Sequence, residues 1–467
     1  MKLLNTTIGR RGLLPAMLAA LLLSGAAHGK TTAEEAARLG KDLTPMGAER
    51  AGNKAGTIPE WTGGLTAAPK DIGYKGPGYK HPDPFAKDPI LLTIDAGNIA
   101  QHAAQVPAGV QALIKKYPKT FKLNVYTTRR TAAAPQSYYD NTKRNATVVD
   151  LSADGLSIVT NGVKGGVPFP IPKRAEEVMY NHSLRWRGIE RMADYARANI
   201  YADGTVSHSG GGQQWEHYPW DDPAVSAKDW DGVYWEIYVE YSIPERRKGE
   251  LLLVVDNVDA INKPRLAWQY FPGQRRIRMA PTIAYDTPQT GANGLEVYDD
   301  VYVFNGALDR YNWKIVGKQE MYIPYNNYKV QLVPEKEILQ PHHIKPDLLR
   351  WELHRVWVIE ATLKEGQRHA YAKRRFYIDE DSWIATISDN YDDRGNLWRM
   401  KMNPISVAYE LPGATQVIDS VYDMTKEEWS ISEHMNMFEK TWLRDPKLIN
   451  TPPGWYTNEN MRRRGRQ

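Results

Sequence analysis

Trp268-Gln269-Tyr270-Phe271-Pro272-Gly273-Gln274-Arg275-Arg276-Ile277-Arg278-Met279-Ala280-Pro281 is two short alternating runs joined at a Pro-Gly pair. Leu266, Trp268 and Tyr270 alternate with polar positions before the pair, and Ile277 and Met279 alternate with Arg276 and Arg278 after it. Successive strand residues point to opposite faces, so this pattern predicts a β-hairpin with one apolar and one basic face. Pro272-Gly273 fits the centre of a type II turn.

The same period of two recurs around it. Val233, Trp235, Ile237, Val239 and Tyr241 share one face, with Tyr234, Glu236, Tyr238 and Glu240 on the other. Further strands are expected at 251–256, 297–304, 313–323, 353–363, 370–378, 383–391, 397–402 and 407–410. Asp379-Glu380-Asp381-Ser382 and Asp393-Arg394-Gly395-Asn396 read as hairpin connections, which makes sequence neighbours antiparallel neighbours. The expected fold class is mainly β with helices (α+β), built on one large curved antiparallel sheet.

Before position 190 the pattern changes. Short helices are expected at 32–39, 94–105, 110–117 and 175–186. Residues 45–88 are dense in Pro and Gly and read as a long ordered loop. The division expected is 1–29 as a signal peptide, 30–93 as a Pro/Gly-rich segment packed on the domain, 94–445 as a single large domain, and 446–467 as a basic tail. Within the first 29 residues Lys2, Arg10 and Arg11 precede an uncharged run, and Ala27-His28-Gly29 precedes Lys30, a secretory pattern. No later run approaches roughly 18 apolar residues, so no spanning helix is expected.

The chain has no cysteine among its 467 residues, which removes disulfides, thiolate metal sites, a cysteine nucleophile and the lipidated cysteine of a lipoprotein. With the export signal, this composition favours a bacterial periplasm. Of the 60 Lys and Arg, three lie in the first 29 residues, leaving 57 against 55 acids, a balance of +2. That argues against nucleic-acid binding. The cluster Arg462, Arg463, Arg464 and Arg466 reads as a loose solvated tail. The 15 Trp and 27 Tyr against 7 Phe suit surfaces partly apolar and partly wet, such as a ligand cavity.

Catalytic templates are missing: there is no nucleophile elbow, phosphate loop, dinucleotide fingerprint or zinc-protease motif. His208-Ser209-Gly210-Gly211-Gly212 reads as a flexible glycine loop, His182 as a core histidine, and Asp389, Asp392, Asp393 and Asn396 as turn residues. A calcium loop about Gly56 lacks its acidic ligands. Arg374 and Arg375 alternate in facing, so one of them at most joins any cluster. No catalytic residue, cofactor or metal ligand set is expected.

Several stretches together resemble a known family. They are Leu43-Thr44-Pro45-Met46-Gly47-Ala48-Glu49-Arg50-Ala51-Gly52-Asn53 with Ile58-Pro59-Glu60-Trp61-Thr62-Gly63-Gly64, then Pro168-Phe169-Pro170-Ile171-Pro172, Tyr270 to Arg278, and Arg375-Phe376-Tyr377-Ile378-Asp379-Glu380-Asp381-Ser382-Trp383. On these the chain resembles the bacterial domain of unknown function family 1329, of outer-membrane lipoprotein-sorting type. The resemblance implies a fold like the LolA and LolB carriers, an unclosed β-barrel over helices with an apolar cavity. It also implies an outer-membrane β-barrel protein and an RND-type exporter as partners. The expected function is a non-enzymatic periplasmic carrier of a lipid or lipoprotein-like cargo. Trp268, Tyr270, Ile277 and Met279 would form its apolar wall, and Arg276 and Arg278 would meet an anionic headgroup. The rivals are a cargo-free adaptor docking an outer-membrane protein and, more remotely, a lipid or polysaccharide hydrolase.

Overall fold

The computed structural model describes residues 30–281 and 283–465. The signal-peptide expectation lies outside them. A single sheet of 15 strands dominates. From one edge to the other it runs Leu92–Ile94, Leu123–Val125, Trp351–Leu363, Lys373–Asp379, Ala385–Tyr391, Leu397–Met402, Asp419–Asp423, Glu428–His434, Glu190–Ile200, Val206–His217, Val233–Ile243, Leu251–Asn257, Leu266–Phe271 and Arg276–Met279. Tyr311–Pro324 also pairs with Trp351–Leu363. The first and last strands do not meet, so the sheet is unclosed. Within this sheet all pairings are antiparallel except the single parallel bridge between Trp351 and Val125.

The inner face carries the main core. Trp235, Ile237, Val239, Leu252, Val254 and Ala267 pack there with Val178 and Met179 of the helix Ala175–Ser183. His182 of that helix is fully buried. Its Nδ1 accepts from the Ala385 amide at 3.0 Å and its Nε2 donates to the Tyr302 carbonyl at 3.0 Å. Burial and then Arg185 hold its pKa well below the ordinary value, so it is a neutral core histidine.

Residues 30–93 cover one end of the sheet as an ordered strap with little regular structure. Their backbone groups find side-chain partners instead of ladders. Arg130 donates to the Glu49 carbonyl at 2.7 Å, Arg355 to that of Ala51 at 2.7 Å, and Trp383 Nε1 to that of Met46 at 2.9 Å. Gly47 is required where it stands, because a Cβ there would lie 1.9 Å from the Pro170 carbonyl oxygen. Asn53, at the start of the loop about Gly56, accepts from the amides of Thr57 and Ile58.

The structure differs from the sequence reading in several places. His208–Gly212 is the middle of a strand, Val206–His217, not a loop. A Cβ on Gly212 would lie 1.9 Å from the Glu240 carbonyl oxygen, so these glycines serve close strand approach. Residues 297–304 form no strand; they enter the interior as an irregular segment with a 3-10 turn at Tyr298–Asp300. The longest helix, Gln136–Val148, goes unread because its mean hydropathy is low and its buried stripe includes Thr142 and Asn145. Asp389 lies within a strand and caps the helix Ala108–Lys116 by accepting from Gly109 N–H at 2.8 Å. The tail is ordered: the helix Asn458–Arg464 buries Met461 completely against the sheet.

Candidate functional site

The hairpin forms with Ile277 opposite Tyr270 and Met279 opposite Trp268. Its turn is a 3-10 turn, Pro272–Gln274, with Arg275 in the left-handed region at φ 49°, rather than a two-residue type II turn. Two extra residues are thereby accommodated before the ladder restarts, since Phe271 pairs with Arg276.

The apolar set does share one face, and it is the outer face. Trp268, Tyr270 and Ile277 pack with Trp215, Tyr238, Leu251, Leu253 and Met461 beneath the C-terminal helix. The Tyr270 hydroxyl donates to the Gly465 carbonyl, and Arg464 pairs with Glu240 and lies over Trp455 at 4.8 Å. Met279 is 58% exposed. None of Trp268, Tyr270, Ile277 or Met279 lines the two inner cavities described below. Strand parity gives the grouping of these residues but not which cover lies over them. Arg276 and Arg278 are exposed on the opposite face, the one that carries the main core through Ala267, and make no ion pair among the described residues.

Two adjoining cavities lie on the inner face. One, of about 140 Å³, sits between Met179, Tyr180 and Leu184 of the helix region and Tyr234, Asp256, Arg265 and Leu308. The other, of about 100 Å³, has Trp235, Ile237, Val239, Leu252 and Val254 as its sheet wall and Ile283, Tyr298 and Val301 opposite. Arg265 borders both. Its guanidinium donates to both Asp256 oxygens at 2.7 Å, a bidentate pairing that fixes its plane.

The connection between Arg276–Met279 and Tyr311–Pro324 closes this region. It inserts Tyr298, Tyr302, Val303 and Phe304 into the core and anchors itself through buried charges. Glu296 accepts from Arg197 at 2.7 Å, with Lys401 at 3.3 Å, and Lys401 in turn meets Asp419 at 2.6 Å. Asp299 and Asp300 both pair with Arg374, at 3.0 and 2.8 Å. Tyr302 donates to Glu216 at 2.6 Å, beside Arg191. Burial opposes ionisation of Glu296, yet Arg197 and Lys401 outweigh it and bring its pKa to about 2. Glu216 is likewise brought to about 2, by Arg191 and Arg187 against burial. Arg374 turns inward while Arg375 pairs with Glu360 near the surface, the split that alternation requires.

These residues define a class: an unclosed, mostly antiparallel sheet over helices, with small apolar cavities sealed by a charge-anchored connection. The chain belongs to the family described as Protein of unknown function (DUF1329), whose profile matches residues 93–462. An uncharacterised protein of Pseudomonas aeruginosa is 39% identical over 420 residues, covering 87% of this chain and 89% of its own. Among solved structures, a domain assigned to outer-membrane lipoprotein sorting from Vibrio parahaemolyticus is 10% identical, with 61% of this chain and 97% of that one covered, at a TM-score of 0.42. A LolA-superfamily protein from Nitrosomonas europaea is also 10% identical, covering 62% and 100%, at 0.36.

Among the described residues no helix is long and apolar enough to cross a membrane. One group has the spacing of a metal centre, His354, Asp379 and Asp381, which the sequence reading did not single out. Two of its members come from the Asp379-Glu380-Asp381 connection read there only as a hairpin turn.

Proposed function

We propose that this protein is a non-enzymatic periplasmic carrier for a lipophilic or acyl-bearing molecule, exchanging it with an outer-membrane β-barrel protein or an RND-type exporter. The observation that supports this reading is the pair of adjoining cavities between the apolar face of Val233–Ile243 and Leu251–Asn257 and the connection that covers it. An apolar cavity of about 150 Å³ takes a ligand the size of benzene. At about 140 and 100 Å³ the two spaces suit a ring or a short alkyl group, and a longer chain requires the connection to draw back. Arg276 and Arg278, on the same face of the exposed edge strand, are placed in this reading as contacts for an anionic headgroup.

Native mass spectrometry on protein from its own host should show co-purifying lipid. Val254→Trp, which fills the second cavity, should reduce fatty-acid uptake, and Arg276→Glu with Arg278→Glu should reduce uptake of anionic but not neutral amphiphiles. Protein that is reproducibly empty and takes up no fatty acid sinks the carrier reading. A second reading, the cargo-free adaptor, draws on the interior being largely filled by side chains such as Tyr298, Tyr302 and Phe304. Periplasmic crosslinking to a membrane partner by lipid-free protein would favour it.

A further inference from the structure

The turn between Lys373–Asp379 and Ala385–Tyr391 carries three consecutive acids, and the neighbouring strand Trp351–Leu363 sets Glu352, His354 and Arg355 beside them. His354, Asp379 and Asp381 are 1%, 0% and 2% exposed, and one ligating atom from each lies within 4.8 Å of the others. His354 Nε2 is bonded to Glu352 Oε2 at 3.0 Å. Its other ring nitrogen, Nδ1, faces Asp379 Oδ1 at 3.9 Å, too far for a hydrogen bond. Asp379 Oδ2 accepts from the Ser382 amide at 2.9 Å and hydroxyl at 2.6 Å, whereas Oδ1 is buried without a partner. The Tyr325 ring stacks on His354 with centroids 3.9 Å apart, and its hydroxyl is also buried and unpartnered. A fully buried carboxylate oxygen left unbonded is costly.

We infer that His354 Nδ1, Asp379 Oδ1 and an oxygen of Asp381 together bind one divalent transition-metal ion in a buried site of three protein ligands. Two ligands each about 2.1 Å from an ion are at most about 4.2 Å apart, so the 3.9 Å gap is spanned by a single ion. Asp381 offers an oxygen within 4.8 Å of the other two ligand atoms. The outer partners that a metal centre needs are already in place. Glu352 orients the imidazole and leaves Nδ1 as its lone-pair donor, and Arg130 holds both oxygens of Asp381 at 2.6 and 2.8 Å.

Local charge agrees. Glu49, Glu380 and Asp381 are matched by Arg130, Lys318 and Arg355 in one set of ion pairs, whereas Asp88, Glu352 and Asp379 share a second set with only Arg129, Arg350 and His354. Among the described residues, the one without an arginine or lysine partner is Asp379, whose only ion-pair contact is His354 at 3.9 Å. Imidazole with carboxylates and no thiolate suits Zn²⁺ or Mn²⁺. The ion would lock the Asp379–Asp381 turn to the strand beside it and, through Arg130, to the strap at Glu49, Arg50 and Pro59.

The test uses the full exported chain, dialysed against EDTA and then offered Zn²⁺ or Mn²⁺ alone, with bound metal read by elemental mass spectrometry. One equivalent should be retained, and EDTA should lower Tm. Asp379→Asn and His354→Gln should each weaken binding at least about 100-fold, and Glu352→Gln, which spares the ligands, about 10–100-fold. Should His354→Gln fail to fold, Asp379→Asn carries the test, because it is isosteric and removes the unmatched charge. Wild-type protein that holds no stoichiometric Zn²⁺ or Mn²⁺ and melts identically with EDTA overturns the site. So does binding that survives unchanged in Asp379→Asn.

Discussion

The two faces of the sheet around Val233–Ile243 are covered in opposite ways. On the outer face the C-terminal helix seals Trp215, Tyr238 and Tyr270 with Met461, a contact made mainly of apolar and aromatic surface. On the inner face the connection between the edge hairpin and Tyr311–Pro324 enters with Glu296, Asp299 and Asp300 and is held by Arg197, Lys401 and Arg374. An apolar seal is non-directional and tolerates small shifts. A buried ion pair is satisfied in one geometry and is heavily penalised when half of it is removed. The inner cover is therefore defined in position, and any opening must move whole charge pairs into water. The outer cover is pinned less firmly, since its ion pair of Arg464 with Glu240 is partly exposed to water.

The largest expected effect follows from this. Arg374→Leu takes from Asp299 and Asp300 the buried cation they share, leaving Asp299 with His369 and Asp300 with the Tyr371 hydroxyl, and removal of one partner from a buried pair costs about 3–5 kcal/mol. Urea unfolding of the variant checks it. A loss below about 1 kcal/mol would mean that the inner cover is not charge-anchored and would erase the contrast between the faces. Met461→Ala should cost less, about 2–3 kcal/mol, the lower part of the range for a buried methionine, because a terminal helix can resettle over the gap. The same unfolding assay, with the tryptophan emission of Trp268 and Trp455, reports it. An equal or larger loss than in Arg374→Leu would reverse the ranking.

How legible each cover is in the sequence follows the same division. The apolar grouping of Trp268, Tyr270, Ile277 and Met279 is readable because strand parity is a local property. Its burial partner is not, since Met461 lies almost 200 positions further on and the arginines around it read as a solvated tail. The inner connection is harder still. Val297 to Phe304 has the composition of a strand, yet Tyr302 and Val303 adopt positive φ, 57° and 74°, which only tertiary contacts can impose on such residues. The antiparallel order from Trp351 to Met402 is readable from its turns. Glu190–Ile200 and Val206–His217 are missed because alanines, arginines and a glycine run replace the expected alternation. His354, Asp379 and Asp381 lie up to 27 residues apart and are united only by strand register.

The smallest effect separates the faces by pH. His217 sits at the border of the outer cover, its ring stacked on Tyr456 with centroids 5.6 Å apart, and its two nitrogens meet Asp222 at 2.9 Å and Glu236 at 2.8 Å. Burial disfavours the imidazolium, but these two carboxylates outweigh it and raise the pKa from 6.5 to about 9. A folded-state pKa above the unfolded one means that the protonated form contributes stability. That contribution is complete below about pH 6.5 and fades as pH rises through about 9. The inner anchors Glu216 and Glu296, with pKa near 2, stay ionised across the same window. Since lysines and tyrosines also begin to titrate near its upper end, the informative quantity is the difference between wild type and His217→Gln. That difference should be largest at pH 6 and shrink toward zero by about pH 10, with loosening confined to amides of residues 446–465 in hydrogen exchange. A difference that stays constant with pH would show that His217 acts by packing alone, and loosening that reaches residues 283–309 would show that the two covers are coupled through the sheet.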